Sequence, residues 1–285
     1  MIDIMKKHFR RIKLLLTVLV VIVVIAGGVC IIQDNNKDKD EHLTVFKGVE
    51  TIGLPKNDTS GKSLEEDEWK DVPSTFRACT NGSLHYWLYT PANPTEQMPL
   101  IVYLHGGSGK GDDLNILTSV EGFPKYLQDG ELGDVRAYVV IPQCPSSNKG
   151  WKESGEEVYS LIQTVVSQYM INKDKISLTG HSMGGTGTWS LAAAYPDLFY
   201  RIASLSGSVP NATEEAELLK NTSVWAFVGS KDEIVPPESS ENVVSEMRSL
   251  GNDSTITVFD GANHFMVPSL AYLDKSIGLI EWLVG

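Results

Sequence analysis

Cysteine is scarce in this 285-residue sequence, and its potential metal ligands do not cluster. The three cysteines, Cys30, Cys79 and Cys144, are far apart and form no Cys-x-x-Cys pair. Small scaffolds held by disulfides contain many more cysteines, and structural zinc sites need closely spaced Cys or His ligands. The sequence therefore predicts no metal site. It leaves open one disulfide, between Cys79 and Cys144, which would form in an oxidising compartment.

Basic residues are also fewer than acidic residues, with 24 Lys and Arg against 36 Asp and Glu. Residues 1–32 hold five basic side chains and one acidic side chain, so the formal charge of −12 becomes −12 − 4 = −16 for the rest of the chain. A domain this acidic repels nucleic acids, and we expect no nucleic-acid partner. The content of hydrophobic residues, 42%, is that of a globular domain with a packed core.

One long hydrophobic run stands near the N-terminus, where residues 14–32 carry no charge. As a helix rising about 1.5 Å per residue, this run just crosses a hydrocarbon layer of roughly 30 Å. Basic residues precede it, which by the positive-inside rule keeps residues 1–13 in the cytoplasm. We therefore expect a single-pass signal anchor over residues 14–32 in the cell membrane, with the rest of the chain on the extracytoplasmic side. A cleaved signal peptide, which would give a secreted protein, stays open as the alternative.

The remaining chain divides into a linker and one domain. Residues 33–72 are rich in Asp, Lys, Asn and Ser and predict a polar linker. Over residues 73–285, strand-like apolar runs alternate with helix-like segments, which predicts an α/β domain with a mostly parallel sheet covered on both faces. The predicted strands cover residues 76–80, 84–89, 100–104, 135–141, 176–179, 202–205, 224–228 and 255–259, and the predicted helices cover residues 153–170, 184–195, 239–250 and 269–283.

The strongest local signal is Gly180-His181-Ser182-Met183-Gly184, which lies between a predicted strand and a predicted helix. This Gly-x-Ser-x-Gly pattern is typical of a sharp strand–turn–helix that presents the serine hydroxyl at the carboxyl edge of a sheet. Small neighbours are needed because the turn strains the backbone. Ser182 is therefore the candidate nucleophile. The amide of Met183, at a helix N-terminus, is one candidate donor to an oxyanion.

A second glycine-rich motif, HGGSG at residues 105–109, follows the predicted strand over residues 100–104. An oxyanion hole needs two N–H groups that converge on one oxygen, and the loop after the third strand supplies the second of them. Gly107 is the candidate donor, since glycine lets the backbone approach a substrate closely. Ser108 is a candidate substrate-binding residue. Trp151 is another, although a packing role fits its position equally well.

A serine hydroxyl becomes a good nucleophile only when a base takes its proton and a carboxylate orients that base. His264 is the one histidine that follows Ser182, and it lies between the last predicted strand and the last predicted helix. Asp232 is the candidate acid, because it comes directly after the strand that precedes the histidine strand. Glu233 and Asp260 are the alternatives.

Together these motifs resemble the α/β-hydrolase superfamily, in particular its branch of esterases and prolyl-oligopeptidase-like serine hydrolases. The resemblance runs from about residue 84 to the end of the chain and rests on PLIVYLHGGSGKGDD, VVIPQCP, KISLTGHSMGGTGTWSLAAAYPDLF, VWAFVGSKDEIVPP and GANHF. It implies an eight-stranded, mostly parallel sheet and hydrolysis through an acyl-enzyme, without a cofactor. It does not define the substrate, since members cleave carbohydrate esters, simple carboxylic esters and in some cases peptides.

The connection between the sixth and seventh predicted strands is short. Only 18 residues separate residues 205 and 224, too few for the cap domain that many relatives insert there. An open site suits a short acyl group or an ester displayed on a polymer, so we expect a carboxylic ester hydrolase. A serine peptidase of the prolyl-oligopeptidase-like type is the alternative, and a surface module without activity is a third reading.

Overall fold

A single mixed β-sheet runs through the centre of the protein. The computed structural model describes residues 21–25, 28–32, 74–94 and 97–285, and this part of the chain holds ten strands. They are β1 (Val21–Ile25), β2 (Gly28–Ile32), β3 (Thr75–Asn81), β4 (Leu84–Thr90), β5 (Met98–Leu104), β6 (Tyr138–Pro142), β7 (Ile171–His181), β8 (Arg201–Leu205), β9 (Ser223–Gly229) and β10 (Thr255–Phe259). Their order across the sheet is β1-β2-β3-β4-β6-β5-β7-β8-β9-β10.

The sheet changes from antiparallel to parallel at β6. Strands β1 to β4 pair antiparallel in sequence order, and β4 is also antiparallel to β6. From β6 across to β10 every pairing is parallel. The last eight strands therefore form the mostly parallel sheet of an α/β-hydrolase-like fold. Because parallel strands end at the same edge, the loops that follow them converge there, and ligands of such sheets bind at that edge.

Helices cover both faces of the sheet. Among the described residues they are α1 (Asn115–Ser119), α2 (Phe123–Gln128), α3 (Gly155–Gln168), α4 (Met183–Ala194), α5 (Ala212–Leu219), α6 (Glu238–Ser249), α7 (Val267–Tyr272) and α8 (Leu279–Val284). Helices α3 to α6 pack on one face, and the other four pack on the opposite face. In β5, Leu100 and Val102 enter the first core whereas Ile101 and Tyr103 enter the second, so this central strand is apolar along its whole length.

Most predicted elements of the domain correspond to observed ones, with one clear error. The eight predicted strands correspond to β3 to β10, and three predicted helices correspond to α3, α4 and α6. The helix predicted over residues 269–283 is wrong, since the chain forms α7 and α8 instead. Asp274 accepts a hydrogen bond from the amide of Ser276 at 2.9 Å, and Gly278 has a φ of 69°, so a turn and a left-handed residue interrupt the helix.

The N-terminal segment differs from the prediction where the structure describes it. A helix was expected over residues 14–32, but β1 and β2 form an antiparallel pair within that range, and β2 continues onto β3. Their sequences, VIVVI and GVCII, are rich in β-branched residues, which suit strands as well as apolar helices, and short apolar runs do not distinguish the two. No helix among the described residues combines the length and the apolar character needed to cross a membrane. Residues 1–20, 26–27 and 33–73, which include the predicted linker, lie outside the described residues.

The connection between β8 and β9 holds only the two-turn helix α5, so no cap domain covers the sheet edge there. Asn211 begins this helix by accepting a hydrogen bond from the amide of Glu214. The carboxyl edge of the parallel strands is therefore accessible from this side.

Cys144 is a free, buried thiol, so the disulfide between Cys79 and Cys144 that the sequence left open is not formed.

Candidate active site

Ser182 occupies a strained turn between β7 and α4. Its φ of 59° and ψ of −119° are rarely adopted by an L-residue, at a cost of about 1–3 kcal/mol. The backbone on both sides of the turn is fixed, because the Ser182 amide donates to the carbonyl of Leu205 and the Ser182 carbonyl accepts from the amide of Thr186, each at 2.9 Å. The surrounding structure therefore holds the serine at the edge of the sheet in one orientation.

The two glycines that flank this turn allow three backbone segments to meet. A Cβ atom on Gly180 would lie 2.6 Å from the carbonyl oxygens of Gly184 and Leu104. A Cβ atom on Gly184 would lie 2.5 Å from the carbonyl carbon of Leu104 and 2.9 Å from the carbonyl oxygen of His105. All of these distances are below van der Waals contact, so a side chain at either glycine would push these backbone segments apart.

His264 and Asp232 form a buried hydrogen-bonded pair. The Nδ1 atom of His264 lies 2.8 Å from Oδ2 of Asp232, and the two residues are only 3% and 7% exposed. A carboxylate can only accept, so Nδ1 carries the proton and Nε2 is left with a free lone pair. The imidazole is therefore held in the tautomer that can take a proton from a neighbouring hydroxyl.

Asp232 is stabilised as a carboxylate. Burial by itself raises the pKa of Asp232, but hydrogen bonds from the Val235 amide, the His264 side chain and the Ile234 amide together hold the pKa below its ordinary value. The two amides donate to Oδ1 at 2.9 and 3.0 Å. Asp232 therefore stays charged and can stabilise a cationic imidazole.

Asp260, one of the alternative acids, has a different role in the fold. Its Oδ1 accepts from the hydroxyl of Ser230 at 3.1 Å, and the same hydroxyl accepts from the amide of Gly261 at 2.8 Å. Gly261 has a φ of 73°, as a tight turn requires. Asp260 thus shapes the turn after β10, and the other alternative, Glu233, is exposed.

His181, which the sequence analysis treated only as a variable position of the serine motif, contacts the His264 loop. Its Nε2–H donates to the carbonyl oxygen of His264 at 3.0 Å, and the two rings lie 4.6 Å apart. Burial, followed by the charge of His264, lowers the pKa of His181 to about 4. His181 is therefore neutral near pH 7. The hydrogen bond ties the strand that carries Ser182 to the loop that carries His264, a contact that no local motif indicates.

The glycine-rich loop after β5 faces Ser182. A Cβ atom on Gly106 would lie 3.6 Å from Cβ of Ser182, so this glycine lies directly beside the serine. Residues Gly107–Gly109 form a single 3₁₀ turn. Gly107 is exposed, and open space surrounds the position that its Cβ would take. The Met183 amide is the first of α4 and has no acceptor within the helix. The two predicted oxyanion donors thus belong to segments that meet at Ser182.

His105 fixes this loop from inside the protein. Its Nδ1–H donates to the carbonyl of Gly106 at 2.6 Å, and its Nε2 accepts from the amide of Cys144 at 2.9 Å. Burial lowers the pKa of His105 to about 4, so the neutral ring needed for both bonds is the stable form near pH 7. Gln143 adds a bond from its Nε2 to the carbonyl of Gly109 at 3.0 Å. The loop is therefore held by buried side chains.

Trp151, predicted as a candidate for substrate binding, lies behind the same loop. It is 1% exposed, its indole N–H donates to the carbonyl of His105 at 2.9 Å, and its ring lies edge-on to the ring of His105. It also packs against Gly187 of α4, where a Cβ would lie 2.6 Å from Cβ of Trp151. Of the two roles that the sequence left open for Trp151, the structure therefore supports packing, because its buried ring lies behind the glycine-rich loop and contacts it.

A cavity of about 480 Å³ brings the predicted residues together. Its lining includes Ser182 and His264, together with Gly107 and Ser108. Trp151 and Met183 line a second cavity of about 550 Å³ instead. Within the described part of the chain, no group of three or more His, Cys, Asp or Glu could hold a metal ion. A hydroxyl, an oriented imidazole and a backbone donor around one cavity are groups that acyl transfer needs.

Comparisons with known proteins point to one family. A family model named Esterase matches residues 78–266. Acetylxylan esterase A of Talaromyces purpureogenus is 29% identical over 182 residues, which are 57% of this chain and 45% of that protein. Poly(3-hydroxyalkanoate) depolymerase C of Paucimonas lemoignei is 26% identical over 143 residues, which are 44% of this chain and 32% of that protein. The chain thus spans half or less of the length of these two relatives.

Solved structures support the fold. A thermostable esterase superposes with a TM-score of 0.61 at 24% identity, covering 74% of this chain and 62% of the other. The feruloyl esterase module from Clostridium thermocellum superposes with a TM-score of 0.55 at 17% identity, covering 79% of this chain and 92% of the other. At these identities the likeness extends to the fold and not to the substrate.

Proposed function

Because this chain belongs to the esterase family, we propose that it is a serine hydrolase that cleaves carboxylic esters through an acyl-enzyme. Family membership supports ester hydrolysis as such. One observation supports the serine mechanism above all others: His264, which a buried hydrogen bond ties to Asp232, lines the same cavity as Ser182, and the fold holds Ser182 in a strained turn. Strain of this kind persists where the surrounding structure enforces it, and it is concentrated at functional sites.

The proposed reaction has two steps. In the first, Oγ of Ser182 attacks the ester carbonyl while Nε2 of His264 takes the hydroxyl proton, and the same imidazole returns this proton to the departing alcohol. In the second, His264 takes a proton from water, the hydroxide attacks the acyl carbon, and the acid leaves as Ser182 regains its proton. Asp232 stabilises the imidazolium that forms in both steps.

The oxyanion of each tetrahedral intermediate is proposed to bind the amides of Gly107 and Met183. Both amides belong to rigid segments, since His105 holds the glycine-rich loop and α4 begins at Met183. Preorganised donors stabilise the charge without having to reorient, and removal of one such donor typically lowers turnover by about 10²–10³-fold. Ser108, which lines the same cavity, is proposed to contact the substrate.

The proposed substrates are esters with short acyl groups or with acyl groups linked to carbohydrate. The short β8–β9 connection leaves the site uncapped, which suits an ester displayed on a polymer. Two relatives carry names that point to polymers, an acetylxylan esterase and a poly(3-hydroxyalkanoate) depolymerase. These two observations support the proposed substrates.

The test uses the Ser182→Ala variant, with Ser249→Ala as its control. Ser249 is an exposed serine at the end of α6, so its loss tests for any general effect of removing a hydroxyl. We expect Ser182→Ala to lose p-nitrophenyl acetate hydrolysis by at least about 10³-fold, because the nucleophile is gone. It should also lose covalent labelling by a fluorophosphonate probe, with an unchanged melting temperature. Retained hydrolysis and labelling would refute the assignment, and faster cleavage of chromogenic peptides than of esters would favour a peptidase.

An extracytoplasmic location is proposed from the sequence alone. A basic segment followed by the uncharged residues 14–32 is typical of exported proteins. Protease treatment of intact cells that express the chain with a C-terminal tag tests this. Loss of the tag without lysis is the expected result, and full protection of the tag would exclude this location.

A further inference from the structure

Three large apolar side chains stand exposed around the cavity that contains Ser182. They are Val120, Ile234 and Phe265, which are 44%, 54% and 73% exposed, and we refer to them as the apolar rim. They come from three separate loops, after α1, after β9 and after β10. Three chain segments thus converge to place apolar surface at one opening, and a clustered apolar patch of this kind marks a binding site more often than scattered exposed residues do.

The apolar rim is rigidly connected to the reacting groups. The amide of Ile234 donates to the carboxylate of Asp232 at 3.0 Å. The ring of Phe265 stands edge-on to the imidazole of His264, with centroids 5.4 Å apart and an angle of 89° between the planes. The Phe265 amide donates to the side chain of Asn263 at 3.1 Å, which fixes the loop. Any group bound against the rim therefore lies next to the atoms that would cleave an ester.

Apolar residues also line the interior of the cavity. Its lining includes Leu117, Pro124, Pro268 and the ring of Tyr103. Leu117 and Tyr103 are otherwise buried, at 1% and 4% exposure. A volume of about 480 Å³ is far more than an acetyl group fills. An apolar group of several carbons would fill this space and at the same time cover the exposed rim, and no other part of the described chain covers it.

We propose that the apolar rim selects esters that have an apolar group of about four to eight carbons next to the ester bond. This inference rests on the proposed ester hydrolysis and deepens it, since esters without such an apolar group would be cleaved but would not be preferred. The apolar group can be part of the acid or part of the alcohol of the ester. The apolar rim would contact the apolar group in the same way in both cases. Two series of substrates distinguish an apolar acid from an apolar alcohol.

The experiment measures how kcat/KM depends on chain length. One series lengthens the acid, from p-nitrophenyl acetate through butyrate and hexanoate to octanoate, and the other lengthens the alcohol, from ethyl acetate to butyl and hexyl acetate. We expect kcat/KM to rise about 2–4-fold per added methylene in one of the two series. Burial of one methylene group raises kcat/KM by about 4-fold at most, and partial burial raises it less. The double variant Phe265→Ala/Ile234→Ala should reduce the ratio of hexyl to ethyl or of hexanoate to acetate rates by about 10-fold or more.

A matched control is available in the same chain. Leu250, at the end of α6, and Val258, on the edge strand β10, are 42% and 45% exposed and line neither cavity described above. The double variant Leu250→Ala/Val258→Ala also removes exposed apolar side chains and should leave both ratios unchanged. A wild-type preference for the shortest ester in both series, or equal ratios in the two double variants, overturns the inference.

Two other outcomes have distinct signatures. If no ester is cleaved and Ser182→Ala changes nothing, the proposed function fails along with the inference. If the wild-type protein is a dimer by sedimentation, Phe265→Ala/Ile234→Ala is a monomer, and the chain-length ratios agree between them, the apolar rim binds a second copy of the chain and the substrate inference is wrong.

Discussion

Replacing Gly184 by alanine should damage the site by separating two backbones. Gly184 lies one residue after the Met183 amide at the start of α4, and its backbone presses on the carbonyl groups of Leu104 and His105. These two residues lead into the glycine-rich loop that holds Gly107. A methyl group at residue 184 therefore pushes the start of α4, which carries the Met183 amide, away from the end of β5, which leads to Gly107.

The size of the effect follows from the distances. The new Cβ would lie 2.5 Å from the Leu104 carbonyl carbon and closer still to the Leu104 carbonyl oxygen, whereas ordinary contact begins at 3.4 Å. Relief of the contact with the carbon alone requires α4 and the end of β5 to move apart by about 3.4 − 2.5 = 0.9 Å. Backbone atoms cannot rotate out of the way as a side chain can. A misplacement of about 1 Å costs on the order of 10²-fold in rate. Overpacking of this kind destabilises by about 1–3 kcal/mol, which lowers the melting temperature by roughly 2–12 °C in a domain of this size.

The assay compares kcat/KM for p-nitrophenyl acetate and the melting temperature by circular dichroism in wild type, Gly184→Ala and Gly150→Ala. Gly150 is the control because a Cβ there would lie 3.7 Å from Cγ of Met183, an ordinary contact. We expect a loss of about 10²-fold or more for Gly184→Ala, counted per folded molecule, and less than about 3-fold for Gly150→Ala. If Gly184→Ala keeps both its rate and its melting temperature, the close approach of α4 and β5 is not what holds the site.

Three further predictions concern the buried polar groups. Asp232→Asn should lower kcat by about 10²–10⁴-fold with little loss of stability, because the amide can donate to His264 Nδ1 and favour the wrong tautomer; an unchanged kcat would contradict the orienting role. His181→Phe should lower kcat more than it changes KM, and His181→Gln should restore part of it by donating to the His264 carbonyl; equal rates in both variants would show that the hydrogen bond has no effect. Burial holds the folded-state pKa values of His105 and His181 at about 4, below the ordinary value of 6.5. The unfolded chain therefore binds more protons between these pH values, and stability, fully present above about pH 6.5, should fall by about 2 kcal/mol per histidine at pH 5. Urea unfolding at pH 7.5 and pH 5 measures this loss, which should be smaller in His181→Gln, and a stability independent of pH would contradict the burial of the two rings.

The carboxylate partner of the histidine shows where sequence reasoning reaches its limit. Order along the chain favoured Asp232, but it left Asp260 as an alternative only four residues from His264. The structure pairs Asp232 with the imidazole and uses Asp260 in the turn after β10. The pairing depends on β9 and β10 lying side by side in parallel, so that the loops after them meet. No local pattern contains that information.

The N-terminal run illustrates the opposite difficulty. Residues 14–32 are uncharged and long enough for a helix that spans a membrane, and the expectation followed from length and charge alone. Valine and isoleucine suit a strand as well, and the described residues of this run pair as β1 and β2. Which conformation such a run takes depends on its surroundings, in this case an available edge at β3.

Features that depend on a few neighbouring residues could be predicted from the amino-acid pattern: the alternation of strands and helices, the turn at Ser182 with its glycines, and the glycine-rich loop after β5. Hydrogen bonds and steric limits within a short segment fix each of these. Contacts between groups that are distant in sequence became visible in the folded chain: the Asp232 carboxylate and His181 against the His264 loop, His105 and Trp151 beneath the glycine-rich loop, and the apolar rim around the cavity. These contacts arise because the order of the parallel strands brings separate loops to one edge of the sheet, and strand order is a property of the whole chain.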